Sequence, residues 1–420
     1  MLLGCIADDF TGASDLALTL SREGMRVVQA IGVPSADEMA DAECMVVALK
    51  SRTAPARRAI ELSLATADAL IGAGARQIFF KYCSTFDSTD AGNIGPVIEA
   101  LLQRLNTPLT IVCPAFPANG RTVYQGHLFV HGDLLSDSAM KDHPLTPMRD
   151  ASLLRVLRRQ TQLAVGLLPW ATVSRGTEEI SRSLDRARSE GQRILVADAL
   201  DERNLRDLGT AARDMPLVTG ASGVALGLPE NFRRAGLLAG PVAGDHPALA
   251  AGRAAILAGS CSAATRNQVA CAMAAGIPSL QLSPSALQAG RQSDAMIASW
   301  IAAQDRARPV MIYSTASPAE VSQVQNSLGR DVAASIVEQA LARAAVELLA
   351  QGVNRLIVAG GETSGAVVEA LALRTLRVGP EIDPGVPWLF AIADPPLALA
   401  LKSGNFGSGD FFLKAWDSLR

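Results

Sequence analysis

The sequence predicts an α/β protein made of two α/β domains, each with a mostly parallel sheet flanked by helices. Short continuous apolar runs, typical of buried parallel strands, alternate with amphipathic helical patterns along the chain. The chain has 420 residues, enough for two or three domains. Aromatic residues make up only 4% of it, which favours helices packed on sheets over an all-β sandwich. We expect an active-site cleft between the two domains, because ligands commonly bind at domain interfaces.

Six strand-like runs define the predicted first domain, residues 1–235. The first run, Leu2–Ala7, leads directly into two adjacent acids, Asp8 and Asp9. Helical patterns lie between the runs, and this alternation predicts βαβ units. The other strand-like runs are Val27–Ile31, Met45–Leu49, Gln77–Lys81, Thr110–Cys113 and Arg193–Ala197, and the helical patterns include Ala56–Ile71, Gly95–Leu105 and Glu178–Glu190.

A second alternating series defines the predicted second domain, residues 250–420. Its longest predicted helix, Val332–Ala350, carries small and aliphatic residues at helical spacing and offers a face for a homodimer. The segment Leu228–Gly252 is rich in Gly, Pro and Ala without a clear period, and we interpret it as the interdomain linker. The strand-like runs of this domain are Ala254–Ala258, Ser279–Leu282, Val310–Tyr313, Leu356–Ala359 and Trp388–Ile392.

Composition argues against several classes of protein. Hydrophobic residues make up 49% and charged residues 19% of the chain, which is incompatible with wholesale disorder. A net charge of −3 does not indicate the excess of positive charge that binding to nucleic acid or to an anionic membrane requires. The 6 cysteines form no CxxC pair and are expected to be free thiols in a reducing compartment. Without a signal-peptide pattern or a long apolar run, the sequence predicts a cytoplasmic protein.

Four polar clusters follow strand-like runs of the first domain at the same topological position. Active-site groups of open α/β sheets gather just beyond the carboxyl ends of the strands. We therefore expect the four clusters to converge on one polar site. The clusters are Asp8–Gly12, Lys50–Thr53, Lys81–Thr89 and Pro114–Arg121.

The residue types of these clusters suit the recognition of a small hydroxylated acid. Arg52 or Arg121 can bind a carboxylate in bidentate fashion, and Lys81 adds a further positive charge. Polar side chains such as Ser84 and Asp87 can form hydrogen bonds with substrate hydroxyls. These five residues are the predicted substrate-binding groups.

Asp8 and Asp9 are the predicted catalytic residues. A carboxylate beside a hydroxyl can act as a general base, and either residue can accept the proton or hold Mg²⁺. Asp9 also suits a structural role, because acids are favoured at helix N-termini. His127 and His131 have a spacing that can ligate a metal on a helix, but their segment reads as irregular and no third ligand follows, so no protein-bound metal centre is predicted there.

Three small-residue loops of the second domain suit the binding of a nucleotide. Glycines between a strand and a helix let the backbone approach a phosphate closely. The segment Gly360–Gly365, before the predicted helix Ala366–Leu373, has this arrangement, although it is neither a GxxxxGK[ST] nor a GxGxxG motif. A smaller loop follows Ala258. The third, Lys402–Gly409, suggests a lid over a nucleotide with Lys402 near the transferring phosphoryl group.

Taken together, these motifs resemble those of the four-carbon acid sugar kinases over essentially the whole chain. The N-terminal ADDxTGA motif of that family reads ADDFTGA at Ala7–Ala13, and its C-terminal GGxTS motif reads GGETS at Gly360–Ser364. The segment KYCSTFDST at Lys81–Thr89, followed by Gly92–Gly95, looks most like the 3-oxo-tetronate 4-kinase branch of the family.

The resemblance implies an N-terminal domain that binds the sugar acid and a C-terminal domain that binds the nucleotide. It implies ATP-dependent phosphorylation of the 4-hydroxyl of a four-carbon 3-oxo acid in acid-sugar catabolism, with ATP and Mg²⁺ required. By motif match it assigns substrate contacts to Asp8, Asp9, Arg52, Lys81 and Asp87, and ATP contacts to Ser260, Gly360, Gly361, Glu362, Thr363 and Gly404.

Three alternatives stay open from the sequence. One is a D-threonate or erythronate kinase of the same family. Another is a two-domain protein that binds or senses a sugar acid without chemistry, which the predicted architecture allows. The last is a Rossmann-type dehydrogenase acting on the same acids, although no strand is followed by the glycine fingerprint of that fold.

Overall fold

The computed structural model describes residues 1–39, 42–143, 146–238, 252–392 and 396–419. The chain divides into two compact units, Met1–Ala243 (unit 1) and Gly244–Arg420 (unit 2). Each unit has a sheet flanked by helices, so the predicted α/β class is confirmed. No helix in the described ranges is both long and apolar enough to cross a membrane.

Unit 1 contains eleven strands and nine α-helices among its described residues. The strands are β1 (Leu3–Ala7), β2 (Val27–Ile31), β3 (Cys44–Ala48), β4 (Gln77–Lys81), β5 (Thr110–Cys113), β6 (Arg121–Tyr124), β7 (His127–Val130), β8 (Asp133–Leu134), β9 (Val165–Leu168), β10 (Ile194–Ala197) and β11 (Leu217–Gly220). The helices are α1 (Phe10–Arg22), α2 (Ala56–Gly72), α3 (Ile94–Arg104), α4 (Leu153–Gln160), α5 (Trp170–Val173), α6 (Thr177–Ser189), α7 (Glu202–Ala211), α8 (Ser222–Ala225) and α9 (Leu228–Arg234).

The main sheet of unit 1 is parallel, in the spatial order β2-β3-β1-β4-β11-β5-β10-β9. β1 lies between β3 and β4 and all five of its residues are buried, which explains why it reads as an unbroken apolar run. The six predicted strands are confirmed to within one residue at each end. The short strands β9 and β11 and the small antiparallel sheet β6-β7-β8 are not predicted.

Strand register sets the position of the polar clusters in unit 1. Ala7 pairs with Ala48 of β3 and with Lys81 of β4, and Lys81 pairs with Gly220 of β11. Gly220 in turn pairs with Cys113 of β5. The ends of these five strands are therefore level, and the clusters that follow four of them leave the sheet at one edge.

Part of the segment Leu228–Gly252, which we interpret from the sequence as the interdomain linker, is helical. Leu228–Arg234 forms α9, and Leu228 and Phe232 are buried. Apolar side chains at helical spacing fix this stretch to unit 1, and the proline near the helix start fits the first turn. Residues 239–251 of the predicted linker lie outside the described residues.

Unit 2 contains seven strands and seven α-helices among its described residues. The strands are β12 (Arg253–Ala258), β13 (Ser279–Gln281), β14 (Val310–Tyr313), β15 (Val353–Ala359), β16 (Thr375–Asp383), β17 (Val386–Ala391) and β18 (Leu397–Lys402). The helices are α10 (Ala263–Ala274), α11 (Pro284–Gln288), α12 (Asp294–Ala302), α13 (Pro318–Leu328), α14 (Arg330–Ala350), α15 (Gly361–Ala370) and α16 (Phe411–Lys414).

The strands of unit 2 follow the order β13-β14-β12-β15-β18-β17-β16. The first five are parallel neighbours, whereas β17 and β16 are antiparallel. Ala258 pairs with Ala359, and Ala359 pairs with Lys402, so β12, β15 and β18 end level with one another. The three small-residue loops of the sequence begin at these three ends.

Candidate active site

Arg52 is the centre of the polar site in unit 1. Its Nε donates to Asp8 Oδ2 at 3.0 Å and its Nη2 donates to Asp8 Oδ1 at 2.7 Å. The same Nη2 donates to Asp9 Oδ1 at 2.7 Å, and Nη1 lies 3.9 Å from Asp87 Oδ2. One guanidinium thus links the clusters that follow β1, β3 and β4.

Backbone and side-chain hydrogen bonds fix the loop that carries Arg52. The amides of Ser51 and Arg52 both donate to the carbonyl of Asp8 at 3.0 Å. On the other side, Asn93 Nδ2 donates to the carbonyls of Ser51 at 2.7 Å and Ala54 at 3.0 Å. Because Asn93 directly precedes α3, this helix holds the Arg52 loop against β1.

The buried ion pair between Asp8 and Arg52 shifts the pKa of both groups. Burial raises the pKa of Asp8 above its ordinary value, although the charge of Arg52 opposes the increase. Burial alone lowers the pKa of Arg52, but the carboxylates of Asp8 and Asp9 outweigh it and raise that pKa well above its ordinary value. Arg52 therefore stays charged and is already paired.

Asp9 caps the N-terminus of α1. Its Oδ1 accepts from the amide of Gly12 at 2.9 Å, and its Oδ2 accepts from Thr11 Oγ1 at 2.9 Å. A Cβ at Gly12 would lie 2.4 Å from Asp9 Oδ1 and 3.1 Å from Lys81 Nζ, which explains the glycine. The structural role that the sequence allows for Asp9 is thus confirmed. The Asp9 side chain is 18% exposed, against 4% for Asp8.

Asp15 is a candidate site residue that we did not predict from the sequence. It lies on α1, buried, and its Oδ2 accepts from Ser222 Oγ at 2.6 Å, whereas its Oδ1 has no partner among the described residues. Burial raises the pKa of Asp15, and the ammonium of the buried Lys81 opposes this. The available signal was the helical spacing of Asp15 from Thr11, which puts both on one face of α1.

The loop after β4 carries Cys83, Thr85 and Asp87 in a hydrogen-bonded chain. Thr85 Oγ1 donates to Asp87 Oδ1 at 2.6 Å, and Cys83 Sγ lies 2.9 Å from Thr85 Oγ1. Although burial alone raises the pKa of Asp87, Arg52 and the Thr85 hydrogen bond lower it overall. Burial, together with the charge of Asp87, raises the pKa of Cys83 to about 12, so this thiol stays protonated.

Backbone strain marks the same loop. Phe86 has a φ of 59°, in the left-handed region that disfavours a bulky side chain. Its ring is fully buried and packs edge-on against Tyr82, with ring centroids 5.5 Å apart. This packing holds Thr85 and Asp87 in place. Ser84 is half-buried in this loop and makes no hydrogen bond to these groups within the described ranges.

Arg121, the first residue of β6, differs from Arg52 because it has no acidic partner in the part of the chain that the structure describes. Its Nη1 donates to the carbonyl of Asn119, while its Nε and the Asn119 Nδ2 are buried without a hydrogen-bond partner among the described residues. Burial lowers the pKa of Arg121, and Cys83 and Asp87 act in the opposite direction.

In unit 2, the residues of the three loops come together at the strand ends. A Cβ at Gly404 would lie 2.3 Å from Ser260 Oγ, and one at Gly360 would lie 3.2 Å from the Ser260 amide and 2.9 Å from Thr363 Oγ1. The hydroxyl of Ser262, the N-cap of α10, donates to the carbonyl of Gly404. The positive φ of 130° favours glycine at position 360, whereas the atoms that crowd position 404 belong to serine side chains.

The GGETS motif forms the first turn of a helix, earlier than we predict. α15 begins at Gly361 rather than at Ala366, with Gly360 as N-cap at a φ of 130°. The N–H groups of Gly361, Glu362 and Thr363 therefore lie in the first turn of the helix, at the positive end of its dipole. A Cβ at Gly361 would meet no atom within 4 Å, so the space above this turn is open in unit 2.

Lys402 ends a strand and is not part of the glycine-rich loop, which corrects the loop position that we expect from the sequence. It is the last residue of β18 and is 0% exposed. Its Nζ donates to the carbonyls of Ser403 at 2.9 Å and Phe406 at 3.0 Å. The physical reason is that the LALALK run continues the apolar strand to its end, which carries the lysine stem into the core.

The carboxylates of unit 1 could supply some of the ligands of a metal ion but not a complete coordination shell. Among the described residues, no group of three or more His, Cys, Asp or Glu side chains is placed to hold an ion. His127 lies on β7 and His131 directly follows it, so neither is on a helix. Asp9 and Asp87 offer carboxylate oxygens, and Mg²⁺ in phosphoryl-transfer enzymes commonly takes one or two carboxylates and completes its shell with phosphates and water.

Comparison with known proteins gives the same division of the chain. Residues 3–228 match the family described as sugar-binding N-terminal domain, and residues 255–412 match the nucleotide-binding C-terminal domain. The chain is 55% identical to a 3-oxo-tetronate kinase of Cupriavidus necator, with 99% of this chain and 96% of the relative covered. It is 54% identical to a 3-oxo-tetronate kinase of Burkholderia multivorans, with 100% of this chain and 97% of the relative covered.

Solved structures agree with the sequence relatives. A crystal structure from Salmonella typhimurium LT2 superposes with a TM-score of 0.87 at 42% identity, and 98% of each chain is covered. A Haemophilus influenzae protein superposes with a TM-score of 0.78 at 40% identity, with 99% of this chain and 100% of the other covered. The ADDFTGA and GGETS motifs and these matches together show that the chain belongs to the four-carbon acid sugar kinase family.

Proposed function

We propose that this protein is an ATP-dependent 3-oxo-tetronate 4-kinase, which phosphorylates the 4-hydroxyl of a four-carbon 3-oxo acid sugar. The observation that carries the proposal is that one chain combines an arginine–carboxylate site in unit 1 with a glycine-lined helix N-terminus in unit 2. The names of the relatives at 52–55% identity over nearly the full length support the substrate class.

Arg121 is the proposed anchor for the substrate carboxylate. Arg52 is already neutralised by Asp8 and Asp9, so binding an anion there would require breaking a buried ion pair. Arg121 is desolvated and has no acidic partner within the described ranges, and a ligand carboxylate would supply the missing charge. Lys81 provides a second positive charge at the end of β4.

Asp9 is the proposed general base, with Asp8 in a supporting role. Asp8 uses both carboxylate oxygens to hold Arg52, whereas Asp9 is more exposed and its Oδ2 accepts only from Thr11. As the substrate O4 bonds to the γ-phosphorus, the bond from that phosphorus to the ADP oxygen breaks, and Asp9 takes the hydroxyl proton. Positioning and charge stabilisation supply most of the rate in such transfers.

ATP is proposed to bind across the N-termini of α10 and α15 in unit 2. The amides of Gly361, Glu362 and Thr363 and the hydroxyl of Ser260 can hold phosphate oxygens there. Mg²⁺, bound with the phosphates and held by Asp9 or Asp87, would neutralise their negative charge. Transfer requires the γ-phosphate to reach the hydroxyl held by unit 1.

The direct test of this function is an ADP-release assay with 3-oxo-tetronates, threonate and erythronate as acceptors. The proposal predicts ADP formation with Mg²⁺-ATP that depends on the acid and is fastest with a 3-oxo acid. Faster turnover of threonate or erythronate would reassign the substrate within the family. Acid binding without ADP formation would indicate a sensor, and NAD-dependent oxidation of the same acids would indicate a dehydrogenase.

The substitution Asp9→Asn tests the assignment of the base. Asparagine still caps a helix, so we expect α1 to remain intact. We expect kcat to fall on the order of 10²- to 10⁴-fold, because the proton acceptor is lost. The measurements are steady-state kinetics and thermal unfolding of the same preparation.

Asp8→Asn is the matched comparison for Asp9→Asn. The substitution removes one of the buried negative charges that pair with Arg52. We therefore expect Asp8→Asn to lower the free energy of unfolding by about 3 kcal/mol and also to lower the activity. Equal stability losses in the two variants, or a kcat of Asp9→Asn near that of the original protein, would contradict the separation of roles.

The substitution Arg121→Lys tests the carboxylate anchor. Lysine keeps the charge but loses the planar fork that pairs with a carboxylate. We expect the KM for the acid to rise roughly 10- to 100-fold, while the KM for ATP is unchanged. The control is Arg213→Lys, an exposed arginine that pairs with Asp214. An unchanged KM for the acid would exclude Arg121 as the anchor.

A further inference from the structure

The ammonium of Lys402 lies at the end of β18, between the loop that follows this strand and helix α10. Besides the carbonyls of Ser403 and Phe406, it contacts the Gly404 carbonyl and Thr265 Oγ1, each at 3.3 Å. Four oxygens on two elements, the loop after β18 and helix α10, thus surround one buried Nζ. All four are neutral.

The titratable side chains on the elements packed around Lys402 do not balance its charge. Arg266 of α10 donates to the carbonyl of Cys261, and Glu362 of α15 is exposed. Asp383 of β16 pairs with Lys414 and accepts from Ser408. Burial is the only influence on the pKa of Lys402, and it lowers that pKa to about 7. A charge desolvated without a counter-ion is costly to the folded protein.

The loop after β18 turns its carbonyl groups inward. The Phe406 carbonyl, which Lys402 also holds, and the carbonyls of Gly407 and Ser408 each accept from Gln268 Nε2 of α10 at 3.0 Å. The Gly404 carbonyl also accepts from Thr265 Oγ1 at 2.9 Å. The amides of Gly404 and Asn405 have no hydrogen-bond acceptor among the described residues.

We propose that Lys402 is a positioning residue for the nucleotide: its ammonium holds the carbonyls of Ser403, Gly404 and Phe406 inward, presents the loop amides to the phosphates, and has the bound phosphates as its counter-charge. This inference rests on the proposed nucleotide site in unit 2. Free amides facing one way form a concave anion site, and a cation beneath it strengthens the attraction. The ammonium itself needs no contact with the nucleotide.

The proposal has a thermodynamic consequence that the unaltered protein can reveal. Without nucleotide, Lys402 is mostly neutral above pH 7 because its pKa is about 7. Bound phosphates favour the charged form, so binding must raise this pKa and take up a proton. Affinity for the nucleotide should accordingly be highest below pH 7 and fall as the pH rises through and above that value.

Calorimetry of Mg²⁺-ADP binding at pH 8, in buffers of different ionisation enthalpy, measures this proton uptake. We expect the original protein to take up more protons on binding the nucleotide than Lys402→Met does. Comparing the two proteins cancels the ionisation of the nucleotide itself. Nucleotide binding by the original protein without proton uptake would overturn the inference and leave the proposed function standing.

Kinetics of Lys402→Met provide the second readout. We expect the KM for ATP to rise roughly 10- to 100-fold, because the loop amides lose their orientation and the site loses its charge, whereas the KM for the acid stays unchanged. Lys141→Met, an exposed lysine of unit 1, is the control and should behave like the original protein. An unchanged KM for ATP, or an equal rise in both KM values, would overturn the positioning role. Absence of nucleotide binding together with absence of ADP release would overturn the proposed function as well.

Discussion

The buried guanidinium of Arg52 is the constraint on which the site in unit 1 depends. Removing a cation and two carboxylates from water costs several kcal/mol per ion, and only close pairing with good geometry offsets it. Asp8, Asp9 and the Asn93 hydrogen bonds provide that geometry by joining the ends of β1 and β3 to the start of α3. Arg52 therefore connects the strand ends of this site through its carboxylate partners.

In unit 2, the buried basic residue is stabilised by a different set of groups. Its buried cation, Lys402, is surrounded by neutral carbonyls rather than by carboxylates. Carboxylates there would repel the phosphates of a nucleotide, whereas carbonyl groups stabilise the cation and leave its net charge uncompensated. The two units thus differ in the surroundings of one buried basic residue each: carboxylates pair with Arg52, whereas neutral oxygens surround Lys402.

Much of the fold and of the site could be predicted from the sequence because buried parallel strands are recognisable as continuous apolar runs. The apolar run that ends at Ala7 predicted β1, and the polar cluster after it predicted the site around Asp8. The GGETS motif predicted the strand end that lies beside Ser260. The sequence could not separate Arg52 from Arg121, since pairing depends on three-dimensional contacts. It misplaced Lys402 because a lysine beside glycines reads as a loop, although its stem completes a buried strand. Asp15 was missed because one acid on a helix has no pattern of its own.

Hydrogen–deuterium exchange with each ligand added separately tests most directly the central claim, that unit 1 binds the acid and unit 2 the nucleotide. Mg²⁺-ADP alone should slow amide exchange in residues 259–262, 360–364 and 403–407. The acid alone should slow it in residues 8–12, 50–53, 83–89 and 119–121. Protection of the unit 1 segments by ADP alone, or of the unit 2 segments by the acid alone, would contradict the account.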